Sequence, residues 1–143
     1  MATTVQENKE LVRRFISEAN AQNYDKVREL FTADYTRHDP DADVAEQGPE
    51  PFITALQRLH EAFPDSEVLI GELIAEDDLV AFEGTMTGTH EGVFRGVDPT
   101  DERMEIPGTA MHRIRDGKIA ETWATWNFLA ALQQLDVLDE PIA

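Results

Sequence analysis

A histidine and a glutamate near the end of the chain are the residue types best suited to moving protons. Asp116 and Gly117 form a strong signal for a two-residue hairpin turn between two β-strands. With that turn, His112 is predicted to lie opposite Glu121. Opposed side chains on one sheet face have Cβ atoms about 4.5–5.5 Å apart, which lets a carboxylate orient an imidazole or accept its proton. The spacing therefore predicts an acid/base pair.

The surroundings of this pair follow from the alternation of side chains along the two strands. The face that carries the pair is largely apolar. Its predicted members are Ala110, His112, Ile114, Ile119, Glu121, Trp123, Thr125 and Asn127, and the opposite face carries Met111, Arg113, Arg115, Lys118, Thr122 and Trp126. The functional interpretation is a general acid/base pair in an apolar pocket. The alternative is an ordinary cross-strand pair on a half-buried sheet face.

The remaining histidines have weaker sequence signals. His90 lies in the glycine-rich segment 88–96, where glycines allow tight turns or close approach of a ligand to the backbone; the alternative is a bulged strand end with an exposed histidine. His38 lies in an extended segment before Pro40 and is expected either to line the mouth of a cavity or to be a polar residue at the start of a loop. His60, next to apolar neighbours on a predicted helix, is expected to be structural.

Several other chemistries lack the residues that they require. The chain has no cysteine, which excludes a disulfide framework, a thiolate zinc site and a cysteine nucleophile. The histidines match no HExxH-like spacing, and no GxSxG or phosphate-loop motif is present. We therefore expect no metal ion and no nucleotide site built on these motifs.

The elements that must position these residues are predicted from hydrophobic periodicity. Thr4 followed by Glu7 is typical of a capping box at the start of an amphipathic helix. Helices are predicted over 4–20, from 23 through 31, over 49–63 and over 128–138; strands are predicted over 66–76, 79–90, 92–96, 102–106, 109–115 and 119–127.

This order of helices and then strands predicts an α+β fold, with helices packed on one face of a curved antiparallel sheet. A sheet that bends over helices leaves a cavity between the two layers, and small molecules commonly bind in such cavities. Five large side chains are candidates for an apolar, ligand-binding lining, although they are equally typical of plain core: Phe82, Met86, Phe94, Trp123 and Trp126.

Composition limits the partners. The 143 residues suit one domain, and the formal net charge of −17 argues against nucleic acid and anionic membranes, both of which need basic patches. No apolar run approaches the ~18 residues of a membrane span, and the first residues do not read as a secretory signal, so a cytoplasmic protein is expected. An acidic, lysine-poor surface suits a salt-loving source; the alternative is an ordinary acidic cytosolic protein.

A set of short motifs resembles one known family. In order, they are Asn8–Phe15, Tyr35–His38, Gly48–Glu50, Ala62–Asp65, Gly88–Gly92, His112–Arg113, Asp116–Ile119, Glu121–Trp123 and Leu132–Leu135. In this order and spacing, the chain resembles the SnoaL-like polyketide cyclase (ester cyclase) family, which has the cone fold named after nuclear transport factor 2. The resemblance implies one α+β cone over residues 1–143, with a deep apolar pocket and neither a metal nor an organic cofactor.

The resemblance also implies an activity and a set of site residues. Cyclases of this family close a polyketide ester by an intramolecular aldol reaction, in which a side-chain base removes an activated proton. Many members carry an aspartate at the position that is Asn127 here, where the amide can donate a hydrogen bond but not accept a proton. That leaves Glu121 as the expected base, with His112, His90 and His38 in support and Tyr35 among the ligand-binding residues.

We therefore expect acid/base proton transfer, of the cyclisation or isomerisation type, on a small hydrophobic carbonyl substrate. The alternative functions are non-catalytic binding of a small ligand and a dimeric scaffold of the same fold. A homodimer or homotetramer is expected, and in the scaffold interpretation its interface would include the segment 128–138 and an outward-facing Trp126.

Overall fold

Four helices and six strands make up the described parts of the chain, residues 2–40 and 45–137 of a computed structural model. The helices are α1 (Val5–Asn20), α2 (Tyr24–Glu29), α3 (Glu50–Ala62) and α4 (Phe128–Gln134). The strands are β1 (Phe31–His38), β2 (Glu46–Gln47), β3 (Glu67–Glu76), β4 (Leu79–Thr89), β5 (Arg103–Arg115) and β6 (Lys118–Trp126). The predicted α+β fold is confirmed.

The six strands form one curved sheet in the order β2-β1-β6-β5-β4-β3. The strands from β3 to β6 are antiparallel neighbours, as expected for consecutive hairpins. β1, however, runs parallel to β6. The predicted curved sheet is therefore present, but it is mixed rather than antiparallel throughout. The sequence pattern did not show that the strand before α3 pairs with β6.

Helix α1 begins where the capping box predicts it and covers the concave face of the sheet. The Glu7 backbone N–H donates to the Thr4 hydroxyl at 3.1 Å, and the Thr4 N–H donates to the Glu7 carboxylate at 2.9 Å. One stripe of the helix, including Val12, Phe15 and Ile16, is buried in the main core against the sheet. Burial of this apolar stripe thus holds α1 against the sheet.

Several predicted boundaries differ from the observed ones. Phe31 begins β1 rather than continuing the second helix, and segment 92–96 forms only a bridge between Phe94 and Val97. The two strands predicted on either side of Pro107 are one strand of 13 residues. Pro107 is tolerated there because β6 ends opposite Gly108, so that the missing N–H falls beyond the β5–β6 ladder.

No helix in the described parts of the chain is long and apolar enough to span a membrane.

Candidate active site

A cavity of about 650 Å³ lies between the concave face of the sheet and the helices. Its wall is mainly apolar and strongly aromatic. The large apolar residues of the lining are Phe15, Phe52, Phe82, Met86, Phe94, Trp126 and Phe128. Four residues predicted from the sequence as lining do lie in this wall: Phe82, Met86, Phe94 and Trp126. The size and lining are those of a small-molecule site.

The predicted pairing of His112 with Glu121 is wrong. The hairpin begins as expected, with Ile114 opposite Ile119, but the register then shifts so that Arg113 pairs with Glu121 and His112 pairs with Thr122. Ala120 is the extra residue, and it is buried like Ile119 before it. A bulge of this kind reverses the alternation of every later side chain in the strand.

The bulge sends Glu121 and Trp123 to the outer face of the sheet. There, His38 Nε2 lies 2.6 Å from Glu121 Oε2, and the His38 ring stacks on Trp123 with 5.1 Å between ring centroids. The Arg113 guanidinium lies 3.5 Å from the same carboxylate. The expectations that Glu121 and Trp123 lie in the pocket, and that His38 lines its mouth, are therefore wrong. None of the three is among the residues that line the cavity.

His112 on β5 faces the cavity. It is 1% exposed, makes an edge-to-face contact with the Phe15 ring and stacks on the Phe82 ring. Its Nδ1 is 2.8 Å from the Thr122 hydroxyl oxygen, whereas its Nε2 has no hydrogen-bond partner among the described residues. Burial, and then the charge of Arg37, lower the pKa of His112 to about 3, so the ring is neutral near pH 7.

A cation and a phenol lie beside this histidine. Arg37 pairs with Thr122 across the parallel β1–β6 ladder, lines the cavity, and places its guanidinium 4.5 Å from the centre of the Phe52 ring. Tyr35 is 1% exposed and stacks on a core phenylalanine. Burial raises the pKa of Tyr35, against the opposing influences of Arg37 and Thr122. Tyr35 lies behind the lining rather than in it, so its predicted direct contact with a ligand is not what the structure shows.

Comparison with known proteins identifies the family. The model of the SnoaL-like polyketide cyclase family matches residues 10–135. The chain belongs to this family. No curated protein matches the sequence.

Solved structures of similar proteins extend the assignment. AclR, a candidate hydroxylase from Streptomyces galilaeus, is 27% identical with a TM-score of 0.87, over 97% of this chain and 87% of AclR. IdmH, a candidate polyketide cyclase from Streptomyces antibioticus, is 28% identical with a TM-score of 0.82, over 90% of this chain and 98% of IdmH. A candidate SnoaL-like polyketide cyclase from Jannaschia sp. CCS1 is 25% identical to this chain, with a TM-score of 0.85. The match covers 96% of this chain and 98% of the Jannaschia protein. The chain thus has the enzyme fold of cyclase-like and hydroxylase-like proteins.

Two residues that the SnoaL-like motifs single out lie outside the cavity. The Asn127 side chain accepts a hydrogen bond from the Ala130 N–H at 3.0 Å and caps α4. His90 is completely buried beside Phe63, in a second core cluster, and its Nδ1 accepts from the Thr100 N–H at 3.2 Å. Neither is among the residues that line the cavity, and the alternative of an exposed His90 is also wrong.

The expected interface residues also have a different location in this SnoaL-like chain. Trp126 follows the bulge and faces inward, where Gly108 leaves room for its ring: a Cβ on Gly108 would lie 2.2 Å from the indole. Phe128 lines the same cavity, and Leu138 lies outside the described residues. The expectation that Trp126 faces outward is therefore wrong, while an interface over 128–138 and the homodimer or homotetramer itself stay predictions.

Sequence reasoning missed several polar residues of the cavity lining, among them Arg37, His60 and Thr122. Arg37 and Thr122 face inward because Arg37 pairs with Thr122, and Thr122 pairs with the inward-facing His112. His60 also lines the wall, with its Nδ1 2.8 Å from the Tyr24 hydroxyl. Burial lowers the pKa of His60. The signal for Arg37 was present, because it follows the apolar Phe31 and Tyr35 at even spacing along one strand. The signal for Thr122 was hidden by the bulge.

Proposed function

We propose that this chain is an enzyme that transfers protons on a small hydrophobic carbonyl substrate bound in the cavity. The single observation that supports this most is the unpartnered Nε2 of His112. A buried nitrogen without a hydrogen-bond partner costs about 1–3 kcal/mol, and most buried polar groups in proteins avoid that cost. An oxygen atom of a bound substrate would supply the missing partner.

The groups around His112 suit a reaction that develops negative charge on a carbonyl oxygen. A neutral imidazole in an apolar wall can hydrogen-bond to that oxygen without competition from water. The nearby Arg37 guanidinium is a fixed positive charge at the same end of the cavity. Together they would stabilise an enolate, the intermediate common to aldol cyclisation and to isomerisation next to a carbonyl.

The proton acceptor in this proposal is a carboxylate of the lining rather than Glu121. Glu46 lies opposite Arg37 on β2 and lines the cavity. Its charge also acts on the buried Tyr35 hydroxyl, which places Glu46 close to the polar end of the cavity. A base at this position would take the proton from the carbon next to a carbonyl held by His112.

The alternative is non-catalytic binding of the same class of ligand. The apolar wall and the buried imidazole would serve a binding protein equally well, since a fold does not decide function. The two functions differ in whether the carbon-bound proton exchanges with solvent.

Exchange of carbon-bound hydrogen with D₂O tests the catalytic proposal. The probe is 2-tetralone, a small hydrophobic ketone with acidic protons next to its carbonyl, followed by proton NMR. We expect the protein to accelerate exchange, and His112→Gln to reduce that acceleration by about a hundredfold, the order of effect of losing one oxyanion donor. Glu121→Gln, which changes the outer face only, is the matched control and should keep the wild-type rate. Equal rates in wild type and His112→Gln would contradict the proposal.

A further inference from the structure

Part of the cavity floor is an indole ring that rests on a glycine. We infer that Gly108 and Trp126 are a specificity-determining pair: Gly108 keeps the Trp126 ring flat against the sheet, and the cavity-facing side of that ring stacks on a flat, conjugated part of the ligand. This inference rests on the proposed function, because it narrows the ligand from a hydrophobic carbonyl compound to a planar one.

Strand pairing places the two residues side by side on the inner face of the sheet. Trp126, at the end of β6, pairs with Gly108 on β5. Gly108 lies between Ile106 and Ala110, whose side chains are both buried on the inner face, so a side chain on Gly108 would point the same way. Trp126 packs against both hydrophobic clusters of the core and lines the cavity.

The distances from Gly108 show how the indole is oriented. A Cβ on Gly108 would lie 2.2 Å from Cε3 of Trp126, 2.5 Å from Cδ2 and 2.7 Å from Cζ3. Cδ2 and Cζ3 are both bonded to Cε3, and an approach along the ring plane would leave them much farther away than Cε3. The three distances are similar, so the Cα–Cβ direction of Gly108 meets the face of the ring. Side chains stand roughly perpendicular to a sheet, so the indole lies along the sheet and turns its other face to the cavity.

The cavity-facing side of this ring is available to a ligand. The other tryptophan, Trp123, has the His38 ring stacked on it and the Arg113 guanidinium carbon 5.9 Å from a ring centre. Within residues 2–40 and 45–137, no aromatic ring and no guanidinium stacks on the half-buried Trp126. Stacking of flat rings adds to the effect of area burial alone. A conjugated ketone is a suitable partner, because its carbonyl withdraws electron density from the attached rings.

The spacing along the sheet sets the length of such a ligand. Gly108 and His112 are four residues apart on β5, which corresponds to about 13 Å. A ligand whose carbonyl oxygen reaches Nε2 of His112 therefore needs two or three fused rings to extend over the indole of Trp126. The ligand class is a flat, conjugated ketone or ester of this length rather than a flexible chain or a saturated ring system.

Equilibrium dialysis with a matched pair of ligands tests the inference without requiring turnover. The probes are 2-acetylanthracene and its saturated counterpart, 2-acetylperhydroanthracene, which share a carbon skeleton and a carbonyl group. We expect wild type to bind the flat probe about fivefold more tightly. Trp126→Leu should bring the ratio of the two dissociation constants close to one. Trp123→Leu, which changes the outer face only, is the matched control and should keep the wild-type ratio.

Gly108→Ala provides a second, independent variant. Its methyl group cannot share space with the indole, so the ring must move into the cavity, and binding of the flat probe should weaken by about fivefold. The double variant Gly108→Ala/Trp126→Leu removes this clash and should bind both probes as Trp126→Leu alone does, which separates the effect from misfolding.

Three results would overturn the inference: equal binding of the two probes by wild type, a preference for the flat probe that survives in Trp126→Leu, or wild-type binding of the flat probe by Gly108→Ala. Failure of the exchange experiment with 2-tetralone would instead overturn the proposed catalysis and leave the binding result standing.

Discussion

At the residue scale, His112 is the group that links stability to pH. Its pKa is about 6.5 when unfolded and about 3 when folded, so between these values the unfolded chain binds a proton that the folded chain does not. The free energy of unfolding therefore falls as the pH falls through this window, by about 1.4 kcal/mol per pH unit from this residue. Above pH 6.5 the contribution is constant.

Urea unfolding at several pH values measures this contribution. His112→Gln should flatten the dependence of unfolding free energy on pH between about 6.5 and 4.5, relative to wild type, by roughly the same 1.4 kcal/mol per unit. The internal control is the range above pH 7, where the two curves should be parallel. Parallel curves below pH 6.5 as well would show that His112 is not held neutral in the folded protein.

The candidate residues were only partly predictable from the sequence. His112 was identified because the hairpin turn was clear and histidine is rare in this chain. Its partner was misidentified because one extra residue, Ala120, reverses the alternation that the prediction used. No local pattern distinguishes a bulge at Ala120 from a regular strand, since alanine is only mildly unfavourable in strands and gives no specific signal for a bulge. The same reversal moved Glu121 and Trp123 to the outer face.

At the element scale, the end of α1 holds the edge of the sheet. The Asn20 side chain donates to the Val68 carbonyl at 3.0 Å and accepts from the Val68 N–H at 2.9 Å. β3 is an edge strand, so these backbone groups have no neighbouring strand on that side. One asparagine thus satisfies both groups and fixes the position of α1, which forms part of the cavity wall.

Replacing Asn20 should destabilise the folded protein more than replacing a nearby residue whose hydrogen bond is exposed. We expect Asn20→Ala to lower the free energy of unfolding by about 1–3 kcal/mol, because two backbone groups lose their partner. Gln22→Ala is the matched control: it removes one exposed hydrogen bond to the Pro64 carbonyl and should cost less than about 0.5 kcal/mol. Equal effects of the two substitutions in urea unfolding would contradict the role given to Asn20.

At the scale of the whole molecule, the fold was more predictable than the site. Amphipathic periodicity in α1 and α3, followed by alternating strands, was enough for an α+β cone with a cavity, because burial of apolar faces is a property of many residues together. The parallel pairing of β1 with β6 was not predictable, since it depends on a contact between segments about 85 residues apart. The polar end of the cavity depends on that same pairing, because Arg37 meets Thr122 there.

The cavity lining is less acidic than the chain as a whole. The chain carries 29 acidic and 12 basic residues. The cavity lining nevertheless includes Arg37, Arg58 and Arg95 beside three carboxylates, so the cavity is far less acidic than the chain as a whole. This local balance suits a ligand whose oxygen becomes negative during reaction.

Binding of a matched pair of probes tests the central claim that His112 Nε2 holds a carbonyl oxygen in the cavity. The probes are 2-acetylnaphthalene and 2-ethylnaphthalene, which differ by the carbonyl, with binding followed by the fluorescence of Trp126 against a Trp123→Phe background. We expect the ketone to bind about tenfold more tightly than the hydrocarbon, as one buried hydrogen bond provides, and His112→Phe to abolish this preference. Equal binding of the two probes to wild type, or a preference that survives in His112→Phe, would contradict that claim.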